Sequence, residues 1–161
     1  KAIMGNNPSY FKNCDRCPVE TVSWYDANEF IKRLNKLSGE SYRLPSSVEW
    51  EYAARGGKKS NSYKYSGSND INKVAWYYDN SGGKTHEVGG KDSNELDLHD
   101  MSGNVWECCS DKYSENYNSP RNLKIRGGSW IHSHQSCRVA SNYYYYFLDR
   151  SFNIGFRLCR T

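Results

Sequence analysis

The sequence has no long hydrophobic run, and none of its apolar stretches approaches the length that crosses a membrane. Its 22 Lys and Arg residues are scattered among 18 Asp and Glu residues, so the formal net charge is only +4. No basic stripe of the kind that binds nucleic acid is formed. We therefore predict neither a transmembrane segment in this chain nor a nucleic-acid partner.

A second CxxC motif is also missing, so the single motif at Cys14 and Cys17 cannot complete a four-thiolate zinc site. The sequence has 6 Cys, which allow one or two disulfides, or thiols that pack as small apolar side chains. Cys108 and Cys109 point to opposite sides of an extended chain, so we do not expect them to bond each other. Cysteine usage leaves the cellular compartment open.

The chain shows no signal peptide, lipidation motif, internal repeat or linker. Its 161 residues are enough for one domain with one core, so we predict a single, monomeric domain over residues 1–161. The first residues, KAIMGNNPSYF, look like the interior of a longer segment and not like its start. We expect an upstream portion, with any targeting signal, to be missing.

Two segments have the marks of helices. Residues 23–39 begin at an N-cap candidate, Ser23, carry apolar residues at helical spacing and stop at a glycine. Residues 45–57 begin with a capping box, Ser46 and Glu49, and stop at a glycine pair.

The rest of the chain is rich in loop-forming residues, including a predicted loop over 110–122. The strand candidates are 73–78, 123–130 and 155–160, which combine aromatic or branched residues with alternation. The predicted class is α+β with two helices, short antiparallel strands and a high loop content.

Several short motifs carry a family resemblance. They are MGNNPSYF (4–11), PVETVSWYDANEF (18–30), YRLPSSVEWEYAARGG (42–57), DMSGNVWE (100–107), IRGGSW (125–130), CRVA (137–140) and NIGFRL (153–158). Together they resemble the formylglycine-generating-enzyme, or sulfatase-modifying factor, family, a branch of the C-type lectin-like fold. The tryptophans of these motifs are expected to anchor the core, and the arginines of RLP, CRVA and GFRL to bridge loops.

The resemblance raises the question of two metal sites, one for copper and one for calcium. The family's enzymes oxidise a cysteine and hold copper with two cysteines soon after the GGS turn, but here that segment contains only Cys137. His132 and His134 share one side of an extended chain, yet two histidines are an incomplete ligand set. The family's calcium loop matches DMSGNVWE, and no cofactor is otherwise required. The implied calcium ligands are Asp100, Gly103, Val105 and Glu107.

The C-terminal region alternates family motifs with unusual inserts, IHSHQS (131–136) and SNYYYYFLD with SF (141–149 and 151–152). Every insert residue except Gln135 is reachable from an asparagine codon by changing adenines only. This pattern resembles the variable region, here 125–161, of a variable protein encoded with a diversity-generating retroelement. The resemblance implies a ligand-binding, receptor-like or adhesin-like protein at the cell surface or outside the cell, some relatives being lipoproteins, with an unknown protein or surface ligand.

Tyrosine suits such a role because it offers a large, rigid contact at low entropic cost. The alternative for a tyrosine strand is that one face is core, so we expect about half of these rings to be exposed. A copper oxidase and a calcium-dependent carbohydrate-binding lectin remain the alternative functions; we predict no enzyme. The predicted ligand-binding residues are Ile131, His132, His134, Gln135, Asn142, Tyr143, Tyr144, Tyr145, Tyr146, Leu148, Asp149, Ser151 and Phe152.

Overall fold

A computed structural model describes residues 1–112 and 122–161. The helices are α1 (Trp24–Ser38), α2 (Ser47–Ala54) and α3 (Ile71–Val74), with a 3-10 turn at Gly57–Lys59. The strands are β1 (Tyr42–Arg43), β2 (Ala75–Trp76), β3 (Ser102–Gly103), β4 (Trp106–Lys112), β5 (Asn122–Arg126), β6 (Asn142–Tyr146), β7 (Ile154–Gly155) and β8 (Cys159–Arg160). The fold is α+β, as predicted. Most of the predicted loop 110–122 lies outside the described residues.

Helix α1 begins and ends where its sequence indicates. The Ser23 hydroxyl accepts the Asp26 N–H at 3.2 Å, and the Asp26 carboxylate accepts the Ser23 N–H at 2.8 Å. Gly39 follows the helix with φ 72°, a left-handed conformation that glycine adopts without steric cost. Ile31 is buried, whereas Leu37 is 70% exposed, so the last predicted apolar position lies off the buried face.

Helix α2 begins at the predicted capping box but ends at Ala54, before the glycine pair. The one-turn helix α3 was not predicted. Asp70 caps α3 by accepting the Asn72 N–H at 3.0 Å, which turns the first part of the predicted strand 73–78 into helix. Only β2 remains of that strand, so the structure has three helices instead of two.

The strands form one four-stranded sheet, in the order β6-β5-β4-β7, and two two-stranded pairs, β1-β8 and β2-β3. The pairings β4-β5, β5-β6 and β1-β8 are antiparallel, but β4-β7 and β2-β3 are parallel. The expectation of antiparallel strands throughout is therefore wrong. The predicted strand 123–130 stops at Arg126 because Gly127 and Gly128 take φ 97° and 77°.

Helices α1 and α2 pack on different core clusters beside the sheet. One cluster joins Ile31 of α1 to Trp106, and another joins Trp50 of α2 to Met101. Trp130 is also buried and Trp24 packs against the first cluster, so the tryptophans anchor the core as expected.

The cysteines are distributed through these clusters and the N-terminal segment. Cys108 belongs to the α1 cluster and Cys109 to the α2 cluster, in line with their predicted opposite orientations. A disulfide joins Cys14 to Cys17. No helix among the described residues is long and apolar enough to span a membrane.

Of the three motif arginines, Arg157 bonds a loop carbonyl, whereas Arg43 joins β1 to α2. Arg43 makes a bidentate pair with Glu49, with both N–O distances 2.7 Å. Arg157 bonds both carboxylate oxygens of Glu107 and the His99 carbonyl. Arg138 is exposed and has no side-chain hydrogen bond to the described residues, so its predicted bridging role is wrong.

Candidate functional site

The tyrosine run forms β6, which lies beside β5. Tyr143 and Tyr145 stand opposite Ile125 and Leu123, which are both buried. Tyr145 packs against the α1 core cluster, and its burial raises the pKa of the Tyr145 phenol to about 12. Tyr145 is therefore partly core, although Tyr143 on the same face of the strand is mostly exposed.

Half of the tyrosine rings are nevertheless exposed. Tyr143 is 66% exposed and Tyr144 is 38% exposed, whereas Tyr145 and Tyr146 are half-buried. Tyr143 lies at the margin of the core, with its ring 6.4 Å from that of Trp106. The expectation that about half of the rings are exposed is confirmed.

Residues 147–153 follow β6 and are held against the start of α1. The Phe147 carbonyl accepts the Trp24 N–H at 3.2 Å, and the Ser151 carbonyl accepts the Thr21 N–H at 2.9 Å. These bonds fix the backbone while some side chains between them face solvent. The exposed side chains of this segment that were predicted as ligand contacts are Leu148, Asp149 and Phe152, whereas Ser151 is half-buried.

An ion pair closes the same loop. Arg150 donates two hydrogen bonds to the Asp26 carboxylate, at 2.8 and 3.0 Å. Partial burial is the largest single influence on the pKa of Asp26 and raises it. The hydrogen bonds from Arg150 and from the helix cap together outweigh burial, so the pKa is lowered. Asp26 thus joins the α1 cap to the loop.

The first insert, 131–136, contributes fewer outward side chains than predicted. Ile131 and Gln135 are exposed, whereas His132 and His134 are half-buried. His132 Nδ1 lies 2.7 Å from the Ser129 hydroxyl and 3.3 Å from Trp106 Nε1, and burial lowers the pKa of the imidazole. His132 thus belongs largely to the supporting frame.

A buried arginine supports the second insert. Arg126, at the end of β5, bonds the Ser47 hydroxyl at 2.7 Å and pairs with Glu51 at 2.8 Å. It also donates to the carbonyls of Ala140 and Ser141, each at 3.2 Å, immediately before β6. The guanidinium therefore joins α2, the sheet and the entry to the tyrosine strand.

Three exposed tyrosines beside the inserts were missed by the sequence reasoning. Tyr10, Tyr25 and Tyr78 are 68%, 52% and 67% exposed. Two of them sit inside family motifs, next to the half-buried residues Phe11 and Trp24. Nothing in the sequence separates such an outward ring from an inward one.

The thiol pair required by a copper oxidase is not formed. Cys137 is fully buried in a cluster with Tyr65, Val74 and Tyr77, and no second cysteine belongs to that cluster. Burial raises the pKa of the Cys137 thiol to about 12, so the thiolate needed for copper or redox chemistry is strongly disfavoured. No group of three or more potential metal-binding side chains occurs in residues 1–112 and 122–161.

The two predicted calcium carboxylates are both buried. Asp100 Oδ2 accepts the Gly89 N–H at 2.8 Å, while Oδ1 has no hydrogen-bond partner among the described residues. Glu107 Oε2 accepts from Trp50 Nε1 and Arg157 Nε, each at 2.5 Å, and Oε1 accepts from Arg157 Nη2 at 2.7 Å.

This donor set fits calcium in part. Asp100 offers one open oxygen, and Glu107 Oε1 keeps a spare lone pair that could join the carbonyls of Gly103 and Val105. Burial raises the pKa of Asp100, so a nearby cation would relieve the cost of its charge. Arg157 already neutralises Glu107, however, and would compete with the ion. Calcium binding stays a prediction.

A separate cavity lies beside the N-terminal segment. About 710 Å³ opens between residues 1–19 and α1, with walls that include Phe11, Phe30 and Phe156. None of the predicted ligand-binding residues lines it. The candidate site is therefore a surface and not a pocket.

Comparisons with known proteins agree with this architecture. The family model of the sulfatase-modifying factor enzyme 1-like domain matches residues 2–161. The structure of Treponema denticola variable protein 1 superimposes with a TM-score of 0.91 at 30% identity, covering 99% of this chain and 80% of that one. The resemblance to C-type lectin-like variable proteins is confirmed.

The sequence relatives differ in activity. Chaperone protein LppX of Paenibacillus barcinonensis is 34% identical, over 86% of this chain and 67% of its own length. The formylglycine-generating enzyme of Streptomyces coelicolor is 31% identical, over 87% and 51%. An inactive C-alpha-formylglycine-generating enzyme 2 of Bos taurus is 33% identical, over 71% and 38%. Enzymes and an inactive homologue thus share this scaffold, and the chain spans only part of each of these three relatives.

Proposed function

The chain belongs to the sulfatase-modifying factor enzyme 1-like domain family, and we propose that it uses the family's scaffold to bind a ligand without catalysis. The binding surface consists of the exposed insert side chains; we call it the insert surface. Its members are Ile131, Gln135, Asn142, Tyr143, Tyr144, Leu148, Asp149 and Phe152.

One observation carries this proposal. Large apolar or aromatic side chains at 5 of these positions are more than a third exposed, at 38–66% each. Groups of exposed apolar side chains mark interaction sites, because binding a partner removes their apolar surface from water. The backbone beneath them is fixed by Arg126, by the β5-β6 ladder and by the bonds to α1. A rigid frame with outward side chains lowers the entropic cost of binding.

The half-buried residues among the predicted ligand contacts are proposed to support or border the insert surface and not to contact the ligand. His132, Tyr145 and Ser151 bond or pack inward and support the surface. His134 and Tyr146 are also half-buried and lie at its border. The insert surface is thus smaller than the list derived from the sequence.

The similarity to a variable protein supports the same function. The insert composition fits diversification at these positions, because replacing an outward side chain costs little core packing. We propose display at the cell surface or outside the cell, with a lipoprotein anchor as one route. The domain is proposed to be monomeric and to need no cofactor.

The alternatives make distinct demands. A copper oxidase needs a second thiol beside Cys137, and the buried surroundings of that sulfur argue against it. A calcium-dependent lectin needs an ion with free coordination sites, whereas Asp100 and Glu107 are both buried.

The experiment compares the labelled domain with matched variants on an array of extracellular proteins and glycans. Hits are then quantified by surface plasmon resonance. We expect Tyr143→Ala with Tyr144→Ala to weaken a genuine hit at least tenfold, because interface tyrosines often contribute more than 1 kcal/mol each. The control is Tyr52→Ala, on α2, since Tyr52 is 55% exposed and outside the insert surface.

The outcome that contradicts the proposal is equally concrete. Hits that weaken as much with Tyr52→Ala as with the double variant would show that the insert surface is not the site. Turnover of a cysteine-containing sulfatase peptide in the presence of copper would show an enzyme instead.

A further inference from the structure

We propose that three tyrosines outside the inserts, Tyr10, Tyr25 and Tyr78, form a constant part of the same binding surface, and that its partner is a folded protein with a largely uncharged face. This inference rests on the proposed function and adds the residues and partner class that the inserts do not define. We call these three residues the constant tyrosines.

Each constant tyrosine comes from a different scaffold segment and meets a residue of the C-terminal region. The Tyr10 ring lies 5.9 Å from the ring of Phe152. The Tyr25 ring lies 5.3 Å from that of Phe147. The N-terminal loop and the start of α1 therefore each place a ring against the region that carries the inserts.

Tyr78 is attached through the backbone. Its N–H donates to the His132 carbonyl at 3.0 Å, so the residue after β2 lies beside the first insert. Its side chain is 67% exposed. Among the described residues, the other exposed scaffold tyrosine is Tyr52, which has no ring contact or hydrogen bond with an insert residue.

The exposed area suits a protein partner. The rings of Tyr143 and Phe152 with those of the constant tyrosines expose the equivalent of about three whole aromatic residues, or roughly 450–750 Å² at about 150–250 Å² per ring. A stable protein interface covers about 800 Å² on each partner. A single sugar ring covers much less, and the Tyr10 and Phe152 rings are tilted by 48°, which offers no flat sugar platform.

The low charge of the insert segments also favours a protein partner. Asp149 and Arg150 are the only Asp, Glu, Lys or Arg residues in 131–136 and 141–152, and Arg150 is paired with Asp26. Insert segments with so little charge supply little electrostatic attraction for nucleic acid or anionic lipid. Constant rings that contribute affinity, beside inserts that contribute selectivity, would let one frame bind several such proteins.

The test uses a display library of the whole chain, randomised at Gln135, Asn142, Tyr143, Tyr144 and Leu148. It is selected separately on ubiquitin and on serum albumin. In each selected binder the constant tyrosines are replaced together by Ala, and in a second variant together by Phe. Tyr52→Ala is the matched control, and circular dichroism confirms folding.

We expect the triple Ala variant to weaken binding at least about 30-fold for both targets, the triple Phe variant less than about fivefold and the control less than twofold. A folded triple Ala variant that binds both targets within threefold of its parent overturns the inference while the insert surface stands. If the triple variant unfolds, the three single Ala variants are measured in its place. Failure to select any binder on either protein would overturn the proposed function as well.

Discussion

Replacement of Arg126 by Met tests whether the frame beneath the inserts depends on one buried guanidinium. The side chain is only 6% exposed and joins α2, β5 and the chain before β6. Methionine fills similar length without charge, so the variant removes the hydrogen bonds while leaving little cavity.

The magnitude follows from the partners left behind. Breaking a buried ion pair from one side costs about 3–5 kcal/mol when the other charge is stranded. Glu51 keeps Arg55, which bonds its Oε1 at 2.6 and 2.9 Å, so it is not stranded. We therefore expect the lower end, about 3 kcal/mol, with most of the loss arising from the Ser47 hydroxyl and the two carbonyls of Ala140 and Ser141.

Urea denaturation measures this loss. With a slope near 2 kcal/mol per M, typical for this size, the midpoint should fall by about 1.5 M. Arg138→Met is the control and should change the free energy of unfolding by less than about 0.5 kcal/mol, because Arg138 is exposed and without a side-chain bond to the described residues. A loss below about 1 kcal/mol for Arg126→Met, or an equal loss in the control, would refute the assigned role.

Three further outcomes are expected. Tyr145→Ala should cost about 3 kcal/mol of stability because the ring packs on the α1 cluster, whereas Tyr143→Ala should cost under about 1 kcal/mol; similar urea midpoints would contradict this difference. Cys137 should resist a thiol reagent at pH 8 in the folded protein, since burial raises its pKa to about 12 and keeps it protonated; rapid labelling would contradict its burial. In chelator, Asp100→Asn should raise the melting temperature by removing an unpaired buried charge, and should abolish any rise caused by calcium; a calcium response that survives the substitution would place the ion elsewhere.

The starts of α1 and α2 were predictable because each is specified locally. Ser23 and Ser46 are followed three residues later by an acidic partner, and this chemistry fixes the first turn whatever the rest of the chain does. Helix α3 is only one turn long and leaves too little periodicity to recognise. The parallel pairing of β4 with β7 joins segments far apart in sequence, so no local pattern could reveal it.

The insert surface was predictable in part for the same reason. Composition marked the segment, but exposure falls along β6 from Tyr143 to Tyr146 and does not alternate with the two-residue period of a strand. The His132 side chain turns inward because it contacts Ser129 and Trp106, and the positions of these two residues follow from the tertiary fold. Tyr10 and Tyr25 were missed because their exposure is set by packing of neighbouring rings that the sequence does not order.

The inward turn of Tyr145 limits how much variety this protein can sample. A hydrophilic or small residue at that position would disturb the sheet and not merely alter recognition, so many sequences permitted by random substitution would never yield a usable product. Any family of natural versions should therefore be biased toward bulky rings at position 145 and far more permissive at position 143. Under the proposed diversification, the packing of position 145 against the α1 cluster narrows the usable repertoire.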